Sequence, residues 1–330
     1  MRPASRLLGR LIPLLAAVAF MSLATAAPLR AQSYPNRPVR LVVPFPAGGP
    51  ADVLGRVLAD QLNKMWGQPV IVENRGGAGG NIGAELVARA APDGYTLLLN
   101  ASSHVINASL YDKLPYDPIK DFTPVSEVAS YMLVLVVHPS VPATSVKEFV
   151  AFAAAKPDGL SVANAGLGTP THLAAVLFAQ AAGVKLVHVP YRGAAPASTD
   201  LVAGQTPAMF NNPVNAVPQV KANTLRALAV TGAKRLSLLP DAPTIAESGY
   251  AGFETRTWYG LFGPAGLPAD IVRKLHADSE KVLHNPEIAR TLIAQGWDIT
   301  ASPPDRFAAV LRAEFDRWSA VVKGAGIKAN

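Results

Sequence analysis

The chain has 330 residues, half of them apolar, no cysteine, and 30 lysines and arginines against 23 aspartates and glutamates, a formal charge of +7. Without cysteine there can be no disulfide, no thiolate metal site and no lipid anchor attached to a thiol. The basic residues are scattered and do not alternate with aromatic residues, which argues against a nucleic-acid-binding face. A chain of this length can bury a large core and commonly divides into two lobes.

Residues 1–31 have the layout of a secretory signal peptide, with three arginines in the first ten residues, an apolar core at Leu11–Leu23 and small residues behind it. The apolar core is shorter than the ~20 residues needed to span a bilayer. Cleavage after Ala26 and cleavage after Ala31 both fit. Removal of residues 1–31 leaves 26 basic against 23 acidic residues, a formal charge of +3. We therefore expect a periplasmic protein that is not embedded in the membrane.

The first predicted element of the mature chain is a strand, Leu41–Val43, followed by the turn 44–49 and a helix that starts at Pro50. Proline suits the first helical position because the amide hydrogen it lacks would have no partner inside the helix. The glycines before Pro50 leave the backbone bare, and Asp52 can accept hydrogen bonds from free amides in the first turn. A glycine-rich loop leading into a helix N-terminus is suited to binding an anion.

Further strands and helices alternate along the chain, which predicts βαβ units and a mostly parallel sheet. Further strands are predicted at residues 69–72, 95–99, 132–137, 160–163, 184–189, 209–213, 225–230 and 258–262. Helices are predicted at residues 50–66, 81–90, 146–155, 170–182, from about 196, and at 268–283, 286–295 and 304–322. Residues 100–104 are predicted to form a polar loop, and the segment 111–123 another loop.

Both halves of the chain begin with a strand, a glycine-bearing loop, a proline and a helix: Gly48-Gly49-Pro50 in one and Gly168-Thr169-Pro170 in the other. We predict an α/β fold of two lobes, with residues 32–132 plus 255–330 in lobe 1 and residues 133–254 in lobe 2. The chain would leave lobe 1 through Leu133–Val137 and return through Trp258–Phe262, so that two crossing strands form a hinge. Ligands of parallel sheets bind beyond the carboxyl ends of the strands, where both loops lie.

Two helix N-termini directed into one cleft favour a carboxylate. The hydroxyls and amides that could hold the rest of the ligand belong to Ser102, Ser103, Asn164, Thr169, Tyr191 and Asn211. Arg75 and Arg192 lie in loops at strand ends, where each could contact an anion or be a solvated loop charge. His172, one turn into its helix, could donate to the ligand or pack between helix and sheet.

These residues lie in segments that resemble the periplasmic solute receptors of tripartite tricarboxylate transporters, the Bug-type receptors. The resemblance covers nearly the whole mature chain. The segments that carry it are PNRPVRLVVPFPAGGPADVLGR (35–56), VENRGGAGGNIGAELVARAAPDGYTLL (72–98), YDPIKDFTPV (116–125), GTPTHL (168–173), VPYRGAAPASTDLVAGQ (189–205), LRALAVT (225–231) and PDAPTIAESG (240–249). Any one of them alone would be weak evidence, but the ordered series is specific.

The resemblance implies a two-lobed receptor of the type II periplasmic binding protein fold that closes on a small carboxylate, held by main-chain amides and ordered waters. The positions that match the family's ligand loops are Phe45, Pro46, Ala47, Gly48, Gly49, Asp52, Gly168, Thr169 and His172, with Tyr191, Arg192 and Gly193 matching its tyrosine–basic–glycine turn. It also implies that the protein works as a monomer with the transporter's membrane subunits, without cofactor or metal. A receptor that feeds a membrane sensor kinase would need the same cleft.

The chain departs from the family pattern at a few positions. Asn164 replaces a frequent serine, Leu167 a frequent polar residue, and Asn211 a common aspartate. The loss of a carboxylate in the cleft makes an amino acid ligand less expected. An extracytoplasmic hydrolase is the weaker alternative, since the chain has neither G-x-S-x-G nor H-E-x-x-H and its six histidines lack metal-ligand spacing.

Overall fold

The computed structural model describes residues 34–326 and 328, so the predicted signal peptide lies outside the described residues. All elements belong to the compact unit Arg37–Asn330. The strands are β1 (Val39–Val43), β2 (Val70–Asn74), β3 (Thr96–Ala101), β4 (Phe122–Met132), β5 (Val134–Val137), β6 (Leu160–Asn164), β7 (Leu186–Pro190), β8 (Ala208–Asn211), β9 (Arg226–Val230), β10 (Arg256–Pro264) and β11 (Asp298–Ile299).

The helices of the described range are α1 (Pro50–Trp66), α2 (Asn81–Ala88), α3 (Ser103–Leu110), α4 (Val146–Ala154), α5 (Pro170–Ala182), α6 (Ala194–Val202), α7 (Pro213–Lys221), α8 (Ala269–Leu283), α9 (Pro286–Ile293) and α10 (Pro304–Ala325), with a short 3₁₀ turn at Ala78–Gly80. In the part of the chain that the structure describes, none of these helices is long and apolar enough to cross a membrane.

The strands form two sheets, one in each lobe, which confirms the predicted two-lobed α/β fold. The first lobe holds six strands in the order β11-β4-β10-β3-β1-β2, in which β1 is parallel to β2 and β3 while β10 is antiparallel to β3 and β4. The second lobe holds five strands in the order β7-β6-β8-β5-β9, in which β6 is parallel to β7 and β8. Each lobe thus has a parallel region at which strand-to-helix loops can bind a ligand.

Helices α1 and α5 begin and end in the same way, and the sequence predicts their common start. Each starts with proline at its first position, Pro50 and Pro170, and each ends at a glycine in the left-handed conformation, Gly67 (φ 64°) and Gly183 (φ 65°). Proline fits the helix start and glycine fits the left-handed cap because neither is strained there. The N-termini of α1 and α5 are therefore fixed by local sequence.

Each lobe has its own apolar core. In the first lobe Leu98 packs with the aromatic side chains of Trp258, Phe262 and Phe307. In the second lobe the core includes Val134. A third cluster joins the lobes, because Leu173 of α5 packs against side chains of α3 and α10; its buried members are Ile106, Leu110, Leu173, Trp318 and Val322. The lobes are therefore in direct contact in this structure.

The chain crosses between the lobes twice, and one threonine joins the two crossings. Leu133 lies between β4 and β5 on the outward crossing, and Thr231 and Thr255 flank the return segment between β9 and β10. The Thr231 hydroxyl accepts from the amide of Leu133 at 2.9 Å and donates to the carbonyl of Thr255 at 2.8 Å. Backbone hydrogen bonds from Thr231 to Leu133 and from Thr255 to Thr231 complete the junction, and Thr231 is fully buried.

We expect Thr231→Val to lower the free energy of unfolding by about 1–3 kcal/mol, because valine keeps the shape but leaves the Leu133 amide and the Thr255 carbonyl without this buried partner. Urea unfolding measures the loss. Thr291→Val is the matched control, since the Thr291 hydroxyl makes one exposed hydrogen bond, to the Glu287 carbonyl of its own helix, and surface changes of this kind stay within about 0.5 kcal/mol. Equal losses in both variants would remove the special role of Thr231.

Four elements differ from the sequence prediction, and the shortest of them is strand β11 (Asp298–Ile299), which was not predicted. The polar loop predicted at 100–104 is wrong, because helix α3 starts at Ser103; six of its eight residues are buried, so tertiary packing stabilises a helix that propensity does not reveal. Helix α7, with Pro218 inside it, was not predicted. Strand β4 also differs, because it begins at Phe122, inside the loop predicted at 111–123. Its polar residues have partners: Glu127 pairs with Arg256 at 2.5 Å, and Ser126 donates to the carbonyl of Ser302 at 2.9 Å.

Candidate ligand-binding cleft

The loop ahead of α1 is held by the carboxylate of Asp52, which is 4% exposed. It accepts hydrogen bonds from the Gly48 amide, from Arg56 Nε and from Asn74 Nδ2, each at 3.0 Å. Burial opposes ionisation, but these bonds outweigh it and lower the pKa of Asp52 below its ordinary value. Asp52 therefore fixes the shape of the loop, and Gly48 takes a left-handed φ of 80° that suits glycine.

The loop ahead of α5 is fixed in a similar way by its own polar side chains. Asn164 Oδ1 accepts from the Gly166 amide at 3.0 Å, and Thr169 Oγ1 donates to the Gly166 carbonyl at 2.6 Å. The Gly168 amide donates to His172 Nδ1 at 3.3 Å. Among the described residues, the amide nitrogen of Asn164 is buried without a protein partner, which leaves a donor for a ligand or water.

His172 is 2% exposed and packs edge-on against His188, with 4.8 Å between the ring centroids. Burial, with His188 adding to it, lowers the pKa of His172 to about 4. The ring is therefore neutral near pH 7, and its Nδ1 is the acceptor for Gly168. The sequence left open whether His172 contacts the ligand or packs between helix and sheet. In the structure the ring, on the third residue of α5, packs against His188 of β7 and holds the loop residue Gly168.

The turn before α6 is in contact with the first lobe. A Cβ added to Gly193, whose φ is 132°, would lie 2.9 Å from the Cδ of Pro46. The hydroxyl of Tyr191 donates to Asp200 at 2.8 Å, and Arg192 is exposed. Arg75, on the opposite loop, pairs with Glu73. Of Tyr191, Arg192 and Arg75, the side chains of Tyr191 and Arg75 thus have partners within their own lobes.

A narrow cavity of about 30 Å³ lies between the lobes. Its walls come from both halves of the chain; the lining residues are Phe45, Pro46, Gly49, Pro50, Ala51, Ala101, Tyr131, Ala165, Thr169, Pro170, Thr171, Ala194, Ala195, Asn212 and Tyr259. We call it the inner cavity. A wider pocket of about 260 Å³ shares Phe45, Pro46 and Ala165 with it, and its further lining includes Gly77–Gly80, Tyr111 and Pro190–Arg192. We call this pocket the outer pocket.

Four helix starts contribute to the wall of the inner cavity. Pro50 and Pro170 are the first residues of α1 and α5, Ala194 is the first of α6, and Asn212 is the N-cap of α7. The first amides of a helix have no partner within it, and the N-terminal end carries a partial positive charge. No lysine, arginine, histidine, aspartate or glutamate lines the inner cavity in the described chain. Its walls can therefore hold an anion through helix N-termini without a charged side chain.

The structure brings some of the predicted site residues to these walls and leaves others outside them. Phe45, Pro46, Gly49 and Thr169 line the inner cavity, and Tyr191 and Arg192 line the outer pocket. The predicted residues that lie outside both linings are Ala47, Gly48, Asp52, Ser102, Ser103, Asn164, Gly168, His172, Gly193 and Asn211. Several of these residues support the walls indirectly, because they fix the shape of a loop or contact the other lobe.

Three of the polar side chains expected at the cleft are buried beside it. Ser102 and Ser103 are 1% and 0% exposed at the start of α3, where Ala101 takes the place at the wall. Asn211 is fully buried and donates to Ser198 at 3.1 Å while accepting from the Asn212 amide. The next residue, Asn212, lines the cavity instead because side chains of consecutive residues at a strand end point in opposite directions.

Sequence reasoning missed several lining residues, above all Tyr131 and Tyr259. Tyr131 lies on β4 and Tyr259 on β10, and their hydroxyls are 3.0 Å apart. Tyr131 lies outside every strand and helix predicted from the sequence, and Tyr259 lies inside the predicted strand 258–262. Nothing in either strand taken alone indicates that the two hydroxyls meet at the base of the cleft, because the pairing of β4 with β10 joins residues 128 positions apart.

Comparison with known proteins agrees with this architecture. The family model described as "Tripartite tricarboxylate transporter family receptor" matches residues 54–327. The chain belongs to this family. Members are substrate-binding receptors and not enzymes, so the hydrolase alternative is set aside. The Bug-type assignment made from the sequence motifs is confirmed.

Individual relatives match over nearly their whole length. Protein BugT of Bordetella pertussis is 37% identical over 305 residues, which cover 92% of this chain and 94% of that protein. The solved structure of Rhodopseudomonas palustris MatC with bound malate is 35% identical with a TM-score of 0.84, covering 88% of this chain and all of the other. That of R. palustris Rpa4515 with adipate is 37% identical with a TM-score of 0.86, covering 89% and 99%.

Proposed function

We propose that this receptor captures a small carboxylate between its lobes in the periplasm and delivers it to the membrane subunits of a tripartite tricarboxylate-type transporter. The observation that carries the proposal is the meeting of four helix N-termini at one cavity whose lining has no charged side chain in the described chain. The adipate and malate in the two related structures support the class of ligand. The signal peptide predicted at residues 1–31 supports the compartment.

The gross free energy that the backbone donors can supply, before the cost of association, is of the size that micromolar binding needs. A helix dipole contributes about 0.3–1 kcal/mol when exposed and up to about 2 when partly buried. Hydrogen bonds to a charged acceptor add roughly 1.5–3 kcal/mol each. A micromolar dissociation constant needs about 8 kcal/mol. Two or three such bonds with the helix dipoles reach that value without an arginine clamp.

The proposal includes the lobe boundaries, residues 32–132 plus 255–330 for the first lobe and 133–254 for the second. Closure on the ligand follows because only the closed arrangement lets Gly49 and Thr169, from opposite lobes, contact the same anion. Of the residues expected from the sequence, Phe45, Pro46, Gly49 and Thr169 are proposed to contact the ligand from the walls, with support from Asp52, Asn164 and His172. Arg192, exposed at the outer pocket, is free to attract the anion.

Calorimetry on protein that has been denatured, stripped of ligand and refolded tests this function. The panel pairs glutarate with glutamate and succinate with aspartate, so that each pair differs by one ammonium group. We expect the dicarboxylates to bind at least tenfold more tightly, because no acidic side chain of the described cavity lining can pair with the ammonium group. X-ray scattering should show a smaller radius of gyration with ligand. Failure of every carboxylate to bind, or unchanged scattering on saturation, would contradict the proposal.

A further inference from the structure

Two phenols at the base of the inner cavity are the remaining polar feature without an assigned role. Tyr131 and Tyr259 are 3% and 4% exposed, line the cavity and lie on β4 and β10, the first-lobe strands that lead into and out of the crossings. Trp297 packs edge-on against both rings, with centroid distances of 4.9 and 5.2 Å. Trp297 thus restricts the orientation of both rings.

The pair leaves one hydrogen-bond donor unused. The hydroxyls of Tyr131 and Tyr259 are 3.0 Å apart, so one donates to the other, and the accepting hydroxyl keeps its own proton. In the described chain no further protein partner lies within hydrogen-bond range of either hydroxyl. A buried donor without a partner costs about 1–3 kcal/mol. The cavity that both residues line is the place where a partner can bind.

Burial raises the pKa of both phenols well above the ordinary value, although the hydrogen bond from Tyr131 moderates the effect on Tyr259. The pair is therefore a neutral donor at every physiological pH. The helix N-termini of the side walls already provide hydrogen-bond donors for one carboxylate. A hydroxyl donor at the base suits an oxygen acceptor elsewhere on the same ligand, because an alkyl end would leave the donor unpaired.

We propose that Tyr131 and Tyr259 are specificity-determining residues that donate a hydrogen bond to a second oxygen-bearing group of the bound acid. The inference rests on the proposed function and narrows its substrate class to acids that carry a hydroxyl, carbonyl or second carboxylate in addition to the first carboxylate. A plain alkyl acid of the same length binds more weakly because the buried hydroxyl then stays unpaired.

The test uses two series of acids matched in chain length: butyrate, γ-hydroxybutyrate and succinate, and hexanoate, ε-hydroxyhexanoate and adipate. Calorimetry compares the wild type with the double variant Tyr131→Phe/Tyr259→Phe, because a single substitution leaves the other hydroxyl with a free proton. The control is Tyr116→Phe, which removes another buried phenol hydroxyl, one that donates to Asn81 at 2.9 Å and lies outside the cavity lining. Thermal melting verifies that each variant is folded.

We expect the wild type to prefer the oxygen-bearing acid over the alkyl acid by about tenfold or more. The double variant should lose most of this preference, while Tyr116→Phe keeps it. The hydroxy acid and the dicarboxylate distinguish a neutral from a charged acceptor. A wild type without preference, or a preference that survives in the double variant, overturns the inference while carboxylate binding stands. If no acid binds the wild type, the proposed function fails as well.

Discussion

Gly168→Ala is expected to bind ligand at least tenfold more weakly than the wild type, whereas Gly183→Ala binds as the wild type does. Both glycines have a left-handed backbone, with φ 77° and 65°, so alanine costs roughly 1–2 kcal/mol at either position. The two positions differ in their surroundings. A Cβ at Gly168 would lie 2.3 Å from Asn107 Oδ1 and 2.9 Å from Leu110 Cδ1, but a Cβ at Gly183 has nothing within 4 Å.

Asn107 and Leu110 belong to α3 of the first lobe, and Gly168 belongs to the second. The added methyl group therefore clashes only when the lobes are closed, and the variant shifts the equilibrium toward the open form. A change of tenfold in this equilibrium needs only about 1.4 kcal/mol, and overpacking a contact such as that with Asn107 and Leu110 typically costs about 1–3 kcal/mol.

Calorimetry against the tightest-binding carboxylate of the panel measures the affinity of both variants, and X-ray scattering measures closure on saturation. Their urea midpoints should fall by similar amounts, which separates backbone strain from closure. Equal affinities in Gly168→Ala and Gly183→Ala would show that the contact between Gly168 and α3 has no part in binding.

Local signals in the sequence predicted the parts of the site that depend on local geometry. Pro50 and Pro170 mark the helix starts, and the glycines before them mark the loops, so the two opposed N-termini were predictable. The other two helix N-termini at the inner cavity, those of α6 and α7, were not predicted at the residues where they begin. Helix α6 was placed near Pro196 but starts at Ala194, and Asn212 as the N-cap of α7 was overlooked.

The side chains of the cleft were harder to predict because their direction depends on pairing between distant strands. Ser102 and Asn211 were expected at the ligand as polar residues at strand ends, yet both are buried and their neighbours Ala101 and Asn212 line the cavity. The alternation of a strand fixes which neighbours share a face, but one sequence does not say which face meets the cleft. Tyr131 was hidden for the same reason.

We expect a steep loss of stability as the pH falls from 6.5 towards 4, because two buried histidines must take up protons. Burial among the rings of Tyr116, Phe122 and Phe262 lowers the pKa of His104 to about 4, although its hydrogen bond to the Pro118 carbonyl opposes the shift. His172 has the same lowered pKa of about 4 through burial and His188. In this window the unfolded chain binds more protons than the folded chain, so unfolding is favoured as pH falls.

Each histidine accounts for about 3 kcal/mol over the window, since one pKa unit corresponds to about 1.4 kcal/mol. Urea unfolding at half-unit steps between pH 7 and 5 measures the slope above the range in which most carboxylates titrate. His104→Phe, which keeps an aromatic ring in the cluster, should unfold more easily at pH 7 but show a shallower slope by about one proton. The control His284→Gln, at an exposed site, should keep the full slope.

His172 adds an effect on binding that His104 lacks. Protonation turns His172 Nδ1 from the acceptor of the Gly168 amide into a donor, which breaks the 3.3 Å hydrogen bond and releases the loop that precedes α5. Affinity should therefore fall with pH more steeply than the ligand's own titration requires, and His104→Phe should retain this fall in affinity. If His172→Gln shows the same pH dependence of affinity as the wild type, the ring does not position Gly168. Protonation of His172 would then not be the cause of weaker ligand binding at low pH.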